Sequence, residues 1–181
     1  MNVQDYIKVY ENVVSDKLCD EITTANLDYQ PSTFSDHDGK VENSDNKVIM
    51  DDFWITDKIS DIYNPLLDCY MKVARLYEED FSLLKLKRST WFRINKYGPG
   101  GFMSEHIDNI HHSHGQVYGF PHVSALLYLN DDYEGGEFVV AGKEIKPNKG
   151  SSVVFPSNFM YPHEAKKVIS GIRWSVIAWL M

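Results

Sequence analysis

Residues 123–156 read VSALLYLNDDYEGGEFVVAGKEIKPNKGSSVVFP, and this stretch decides the fold class. Short apolar runs, Val123–Asn130, Glu137–Val140 and Ser152–Phe155, alternate with Gly135-Gly136, Ala141-Gly142 and Pro147-Asn148-Lys149-Gly150. Such runs are too short for helices, and the glycines and proline between them end each run in a turn. Outward from this stretch, Leu86–Asn95, Met103–Asp108 and Ile172–Leu180 carry the same texture, and Tyr97-Gly98-Pro99-Gly100-Gly101 is a turn. About eight short strands at this spacing predict a jelly roll or barrel.

Residues 1–84 read differently. Tyr6, Ile7, Val9 and Tyr10 predict a short opening strand. Ser15 is an N-cap ahead of Leu18, Ile22 and Ala25 at helical spacing. Pro31–Lys47 is a polar, exposed loop. Ile59, Ile62, Tyr63, Leu66, Leu67, Tyr70, Met71, Ala74 and Tyr77 form the apolar face of a longer helix, with a kink or fresh start predicted at Pro65. The expectation is one domain over 1–181, mainly β with α. Residues 1–84 are a helical support region with loop 31–50, and 85–181 are the jelly-roll core. Cys19 and Cys69 read as buried thiols in the helical layer rather than a disulfide scaffold or zinc ribbon.

The charge narrows the function classes. The chain has 181 residues and a formal net charge of −8. The excess lies wholly in residues 1–90, while 91–181 are balanced. Neither half offers the basic surface that a phosphate backbone attracts, so nucleic acid is not the expected partner. Nothing approaches the roughly 18 consecutive apolar residues of a membrane span. Residues 1–20 lack a basic start followed by an apolar run, so a cytoplasmic protein is expected.

The chemistry then falls to the histidines. In His106-Ile107-Asp108, residues i and i+2 of a strand aim an imidazole and a carboxylate at one spot. With His163 downstream, after the Tyr161-Pro162 turn, this is the two-histidine, one-carboxylate set of non-haem Fe(II) oxygenases, which leaves open coordination positions. Arg173 interrupts an otherwise apolar strand, and Ser175 shares its face. A buried guanidinium needs a partner; a protein acid or a ligand carboxylate bound bidentately would serve.

From about Trp91 to Met181 the sequence resembles the Fe(II)- and 2-oxoglutarate-dependent dioxygenases, most nearly the prolyl 4-hydroxylase branch. The elements stand in order: Tyr97 with its glycine-rich turn, His106-x-Asp108, Tyr128-Leu129-Asn130, Gly135-Gly136-Glu137-Phe138, Pro162-His163-Glu164, Arg173 and Trp179. The resemblance implies a double-stranded β-helix (jelly roll) core backed by N-terminal helices. It implies that His106, Asp108 and His163 hold Fe(II), and that Arg173, helped by Tyr128 and Ser175, binds the distal carboxylate of 2-oxoglutarate. Tyr97 would lie near co-substrate and substrate, and Trp179 would flank the substrate; Gly135 and Gly136 are turn residues. The implied reaction couples oxidative decarboxylation of 2-oxoglutarate by O2 to hydroxylation of a C–H bond, with ascorbate as reductant. A peptidyl proline is the leading substrate. A free amino acid or other small metabolite, and a non-enzymatic jelly-roll binding module, are the alternatives. Trp91, Phe92, Trp174 and Trp179 are candidates for a dry pocket. The segment after Asp108 departs from the branch and holds His111, His112 and His114, which read as a polar loop at the site's mouth rather than a second metal site. Loops 31–50 and 109–121 are candidates to close over substrate.

Overall fold

The computed structural model describes residues 2–35, 41–42, 46–56, 60–108 and 120–181. His37, His111, His112 and His114 lie outside the described residues, as do 36–40, 43–45 and 109–119 of the two candidate closing loops.

Among the described residues, seven strands form a major antiparallel sheet. Their order is Lys8–Tyr10, Ser152–Pro156, Val123–Tyr128, Arg173–Leu180, Phe92–Tyr97, Asp51–Ile55 and Gln30–Pro31. A minor sheet runs Lys143–Ile145, Phe138–Val140, His163–Ala165, Phe102–His106 and Val48–Ile49. The inner faces of the two sheets pack through Leu126, Phe155, Ile177 and Trp179 on one side and Phe138, Val140 and Ile145 on the other. This is the expected double-stranded β-helix.

The central strand Arg173–Leu180 is buried along its whole length, which is why it reads as a nearly continuous apolar run. Its two faces do different things. Trp174, Val176, Ala178 and Leu180 join the core under the helices, whereas Ile177 and Trp179 pack between the sheets. The helices α1 (Asp16–Thr24) and α2 (Ser60–Asp80) cover the outer face of the major sheet. Ser15 caps α1 by accepting a hydrogen bond from the Leu18 amide at 3.3 Å. α2 runs unbroken through Pro65. Its Tyr70 stacks on Phe92 at 4.8 Å, and its hydroxyl donates to the Val176 carbonyl at 2.9 Å. The helix is thereby fixed to the strands that carry Tyr97 and Arg173. No helix among the described residues is long and apolar enough to cross a membrane.

Several expectations need correction. Lys8–Tyr10 is the expected opening strand, but the N-terminal half is not otherwise only helical support, because Gln30–Pro31 and Asp51–Ile55 also join the major sheet. Asp51–Ile55 escaped notice because two aspartates open it and break the apolar run. The loop from Pro31 contains short strands at Phe34–Ser35 and Val48–Ile49. The strand predicted over Leu86–Asn95 is Phe92–Tyr97. The residues before it instead hydrogen-bond to the chain end, Lys87 N to Met181 O at 2.7 Å and Thr90 N to Trp179 O at 3.0 Å.

Cys19 and Cys69 are free and buried in the helical layer. Burial pushes the Cys19 thiol up to about 11 against the nearby Lys149 charge, and burial also raises Cys69. At pH 8 the Cys19 group is thiolate in roughly one molecule in a thousand. Ellman's reagent is therefore expected to find almost no fast thiol in the native protein at pH 8. The rate should rise as pH approaches 11, and both thiols should react at once in denaturant. Rapid stoichiometric labelling at pH 8 would show instead that the helical layer opens readily.

Candidate active site

The minor sheet brings the three expected donors together. His163 is the cross-strand partner of His106, with ring centroids 4.2 Å apart. Asp108 lies just beyond the strand Phe102–His106. One ligand atom from each of the three falls within 4.8 Å of the others. Both imidazoles are oriented through Nδ1, His106 to the Ser104 carbonyl at 2.9 Å and His163 to the Tyr161 carbonyl at 3.1 Å. A carbonyl only accepts, so each Nδ1 carries a proton and each Nε2 is the atom turned toward the shared centre, where a metal would take the place of any proton on it. The Nε2 atoms lie 3.7 Å (His106) and 3.5 Å (His163) from Asp108 oxygens.

Asp108 is fixed from behind. Ser124 Oγ donates to its Oδ2 at 2.6 Å and, its only proton being used there, accepts from Ser157 Oγ at 2.8 Å. Burial alone would raise the Asp108 carboxyl. The charge and hydrogen bond of His163, then His106 and Ser124, reverse this and hold it far below the usual range. Burial, then the neighbouring His163, lower His106 to about 4 against the pull of Asp108, so this ring is neutral at pH 7. Burial also works against a charge on His163, but Asp108 outweighs it and raises that ring. A carboxylate and two Nε2 lone pairs around one point suit a borderline divalent cation such as Fe(II).

Arg173 lies on the same cavity as His106 and His163. It is 1% exposed. Its Nη2 donates to Tyr128 Oη at 3.0 Å, and its guanidinium sits over the rings of Tyr97 and Tyr128 at 4.8 and 5.1 Å. Its Nε and Nη1 have no hydrogen-bond partner, nor has Ser175 Oγ beside it on the same face. Burial, against the pull of Arg173, pushes the Tyr128 phenol up to about 12, leaving a neutral hydroxyl. Gly136, at φ +65°, makes room for this side chain, because a Cβ there would meet Arg173 Cδ at 3.1 Å. No ion pair among the described residues includes Arg173. A buried cation with two idle nitrogens and an idle hydroxyl beside it is a receptor for a carboxylate, and 2-oxoglutarate fits that requirement.

Tyr97, Tyr128, Ser175 and Trp179 thus all lie on the inner side with Arg173. The dry pocket of four aromatics does not form. Phe92 and Trp174 belong to the core under the helices, and Trp91 is 57% exposed. The register sets this, since neighbouring residues of a strand face opposite ways. The sequence reading also missed Trp54, Arg93, Asn95 and Ser124. Period-two alternation back from Tyr97 marks Arg93 and Asn95 as inward-facing. Nothing local marks Trp54 or Ser124.

The family model described as the 2OG-Fe(II) oxygenase superfamily matches residues 92–181. The human prolyl 3-hydroxylase 2 is 42% identical over 70 residues, 35% of this chain and 10% of that protein. The chain thus spans about a tenth of the length of this relative. Two solved structures share the fold. A prolyl-4-hydroxylase from Pseudomonas putida gives a TM-score of 0.71 at 20% identity, covering 97% of this chain and 91% of its own. A prolyl hydroxylase from Trichoplax adhaerens, in complex with a hypoxia inducible factor peptide fragment, gives 0.75 at 15% identity, covering 97% and 83%. Residues 92–181 thus match the 2OG-Fe(II) oxygenase superfamily, and the shared fold and the His-His-Asp cluster agree with that match.

Proposed function

We propose that this chain is an Fe(II)- and 2-oxoglutarate-dependent dioxygenase that hydroxylates a C–H bond of a proline residue in a peptide or protein. The observation that carries the reading is one cavity lined both by His106 and His163 of the three-donor cluster and by an under-bonded buried arginine. His106, Asp108 and His163 would hold the metal. Arg173, with Tyr128 and Ser175, would hold the distal carboxylate of 2-oxoglutarate. Fe(II) and 2-oxoglutarate held there would supply the oxidising power drawn from dioxygen, with succinate and carbon dioxide as the co-products of hydroxylation.

The chain's own part is binding, orientation and exclusion of water. Ser124 and the Ser104 and Tyr161 carbonyls fix the direction of the three donors. Tyr128 accepts from Arg173 Nη2, which leaves its own proton for the incoming carboxylate. Leu126, Phe138 and Ile177 line the cavity with apolar surface and keep the reacting centre dry. Trp179, stacked on Trp54 at 6.2 Å, offers an aromatic platform for a pyrrolidine ring. The prolyl hydroxylases that share the fold, one of them with a bound peptide, support a proline-containing partner.

The test is succinate release from 2-oxoglutarate with Fe(II) and ascorbate, with and without proline-rich peptides. Stimulated release and a 16 Da gain on the peptide are expected, the mass of one oxygen atom. Stimulation only by a small metabolite would overturn the proline substrate and keep the oxygenase. Absence of both Fe(II) binding and turnover would overturn the oxygenase.

A further inference from the structure

The cavity contains a second arginine that neither the metal cluster nor the co-substrate receptor uses. Arg93 lies on the strand Phe92–Tyr97, two residues before Asn95 and four before Tyr97, and all three line the cavity. Its cross-strand neighbours are Trp54 and Ile177. Its guanidinium stands 5.7 Å from the Trp54 ring centre and 5.2 Å from that of Trp179. Stacking satisfies the flat faces of a guanidinium but leaves its in-plane N–H donors free. The Nε is buried without a hydrogen-bond partner. No ion pair among the described residues includes Arg93.

The two arginines divide the cavity. Arg173 is beside Tyr97 and Tyr128. Arg93 is one register step from the metal cluster's support, since Trp179, on which it stacks, is the cross-strand partner of Ser124, and Ser124 holds Asp108. A group bound at Arg93 therefore sits over the tryptophan platform rather than in the co-substrate's place.

We propose that Arg93 is a specificity residue that reads a carboxylate on the substrate, while the ring to be hydroxylated lies on Trp179 and Trp54. The substrate class is a proline with a carboxylate within one residue of it. This is either a free α-carboxylate at a C-terminal or free proline, or the side chain of an adjoining Asp or Glu. The inference rests on the oxygenase reading, because that reading makes this face of the cavity the substrate side.

The test is direct binding, so that it does not depend on turnover. The full chain is saturated with 2-oxoglutarate and Mn(II) and titrated by calorimetry with two matched pairs of probes. N-acetylproline against N-acetylprolinamide reports an α-carboxylate. N-acetyl-prolyl-aspartamide against its asparagine counterpart reports an acidic side chain. Hydrogen bonds to charged groups of this kind lead us to expect the acid of one pair to bind on the order of tenfold tighter than its neutral partner. Which pair discriminates identifies the source of the carboxylate. Arg93→Met should erase the preference, and Arg93→Lys should keep part of it. Arg93→Gln, which keeps a polar head, serves in its place should the methionine variant not fold. Equal binding of acid and amide in both pairs would overturn the proposal. So would a preference that survives loss of the guanidinium, or a drop in 2-oxoglutarate affinity as large as the drop for the acid. Acid-selective binding without succinate release would leave Arg93's role standing while the oxygenase reading failed.

Discussion

Asp108→Ala is expected to abolish metal-dependent turnover and to weaken Co(II) or Fe(II) binding by at least about a hundredfold. That is the upper end of what loss of an outer-shell partner costs a metal site, and Asp108 would be in direct contact. It is the only carboxylate in the cluster, and its environment keeps it charged. Removing it leaves two imidazoles and no negative charge to offset the metal's two positive ones. It also strips Ser124 Oγ of its acceptor in a fully buried position, which costs about 1–3 kcal/mol. Asp108→Asn separates the two effects, since the amide oxygen still accepts from Ser124 while the charge is gone. Titration of Co(II) by its visible absorption, with melting temperatures for each variant, reads both. If Asp108→Ala keeps Fe(II) affinity and turnover, the cluster is not the metal site.

Arg173→Met has a different signature. The 2-oxoglutarate requirement should rise by roughly two to three orders of magnitude, the usual cost of truncating one partner of a buried, hydrogen-bonded charge pair. The ligand-free protein should be no less stable than the parent, and more stable if methionine packs well. A guanidinium at 1% exposure with Nε and Nη1 unbonded is a desolvation cost without full return, and apolar replacements of such groups are often neutral or stabilising. Denaturant melts with and without 2-oxoglutarate check both halves. The parent should gain stability with ligand and the variant should not. An unchanged 2-oxoglutarate requirement, with a large loss of ligand-free stability, would make Arg173 a structural cation.

The site was legible in the sequence wherever its residues obey a local rule. His106 and Asp108 were visible through the two-residue period, although Asp108 lies past the strand end and owes its position to Ser124. Arg173 was visible because a charge within an apolar strand needs a reason. What escaped depends on pairing between distant segments. Trp54 stands beside Arg93 only because Asp51–Ile55 pairs with Phe92–Tyr97, and no local pattern specifies that partner. Trp174 and Phe92 were assigned to the wrong side for the same reason. Alternation says which residues share a face, and only the register against neighbouring strands says which face meets the other sheet. The two helices were legible through their apolar spacing, and the short strands Lys143–Ile145 and His163–Ala165 were too brief to leave a pattern.

The major sheet has one more consequence. The stretch that matches the family begins at Phe92, yet Phe92–Tyr97 is zipped to Asp51–Ile55 and Ser152–Pro156 to Lys8–Tyr10. A fragment cut at the family boundary would keep all three metal donors and Arg173 but present three raw strand edges, the third where Val48–Ile49 leaves Phe102–His106, and an uncovered apolar face. Unpaired edges of this kind recruit other chains, so such a fragment is a seed for aggregates rather than a minimal enzyme. The first ninety residues act as the chaperoning flank of the catalytic half.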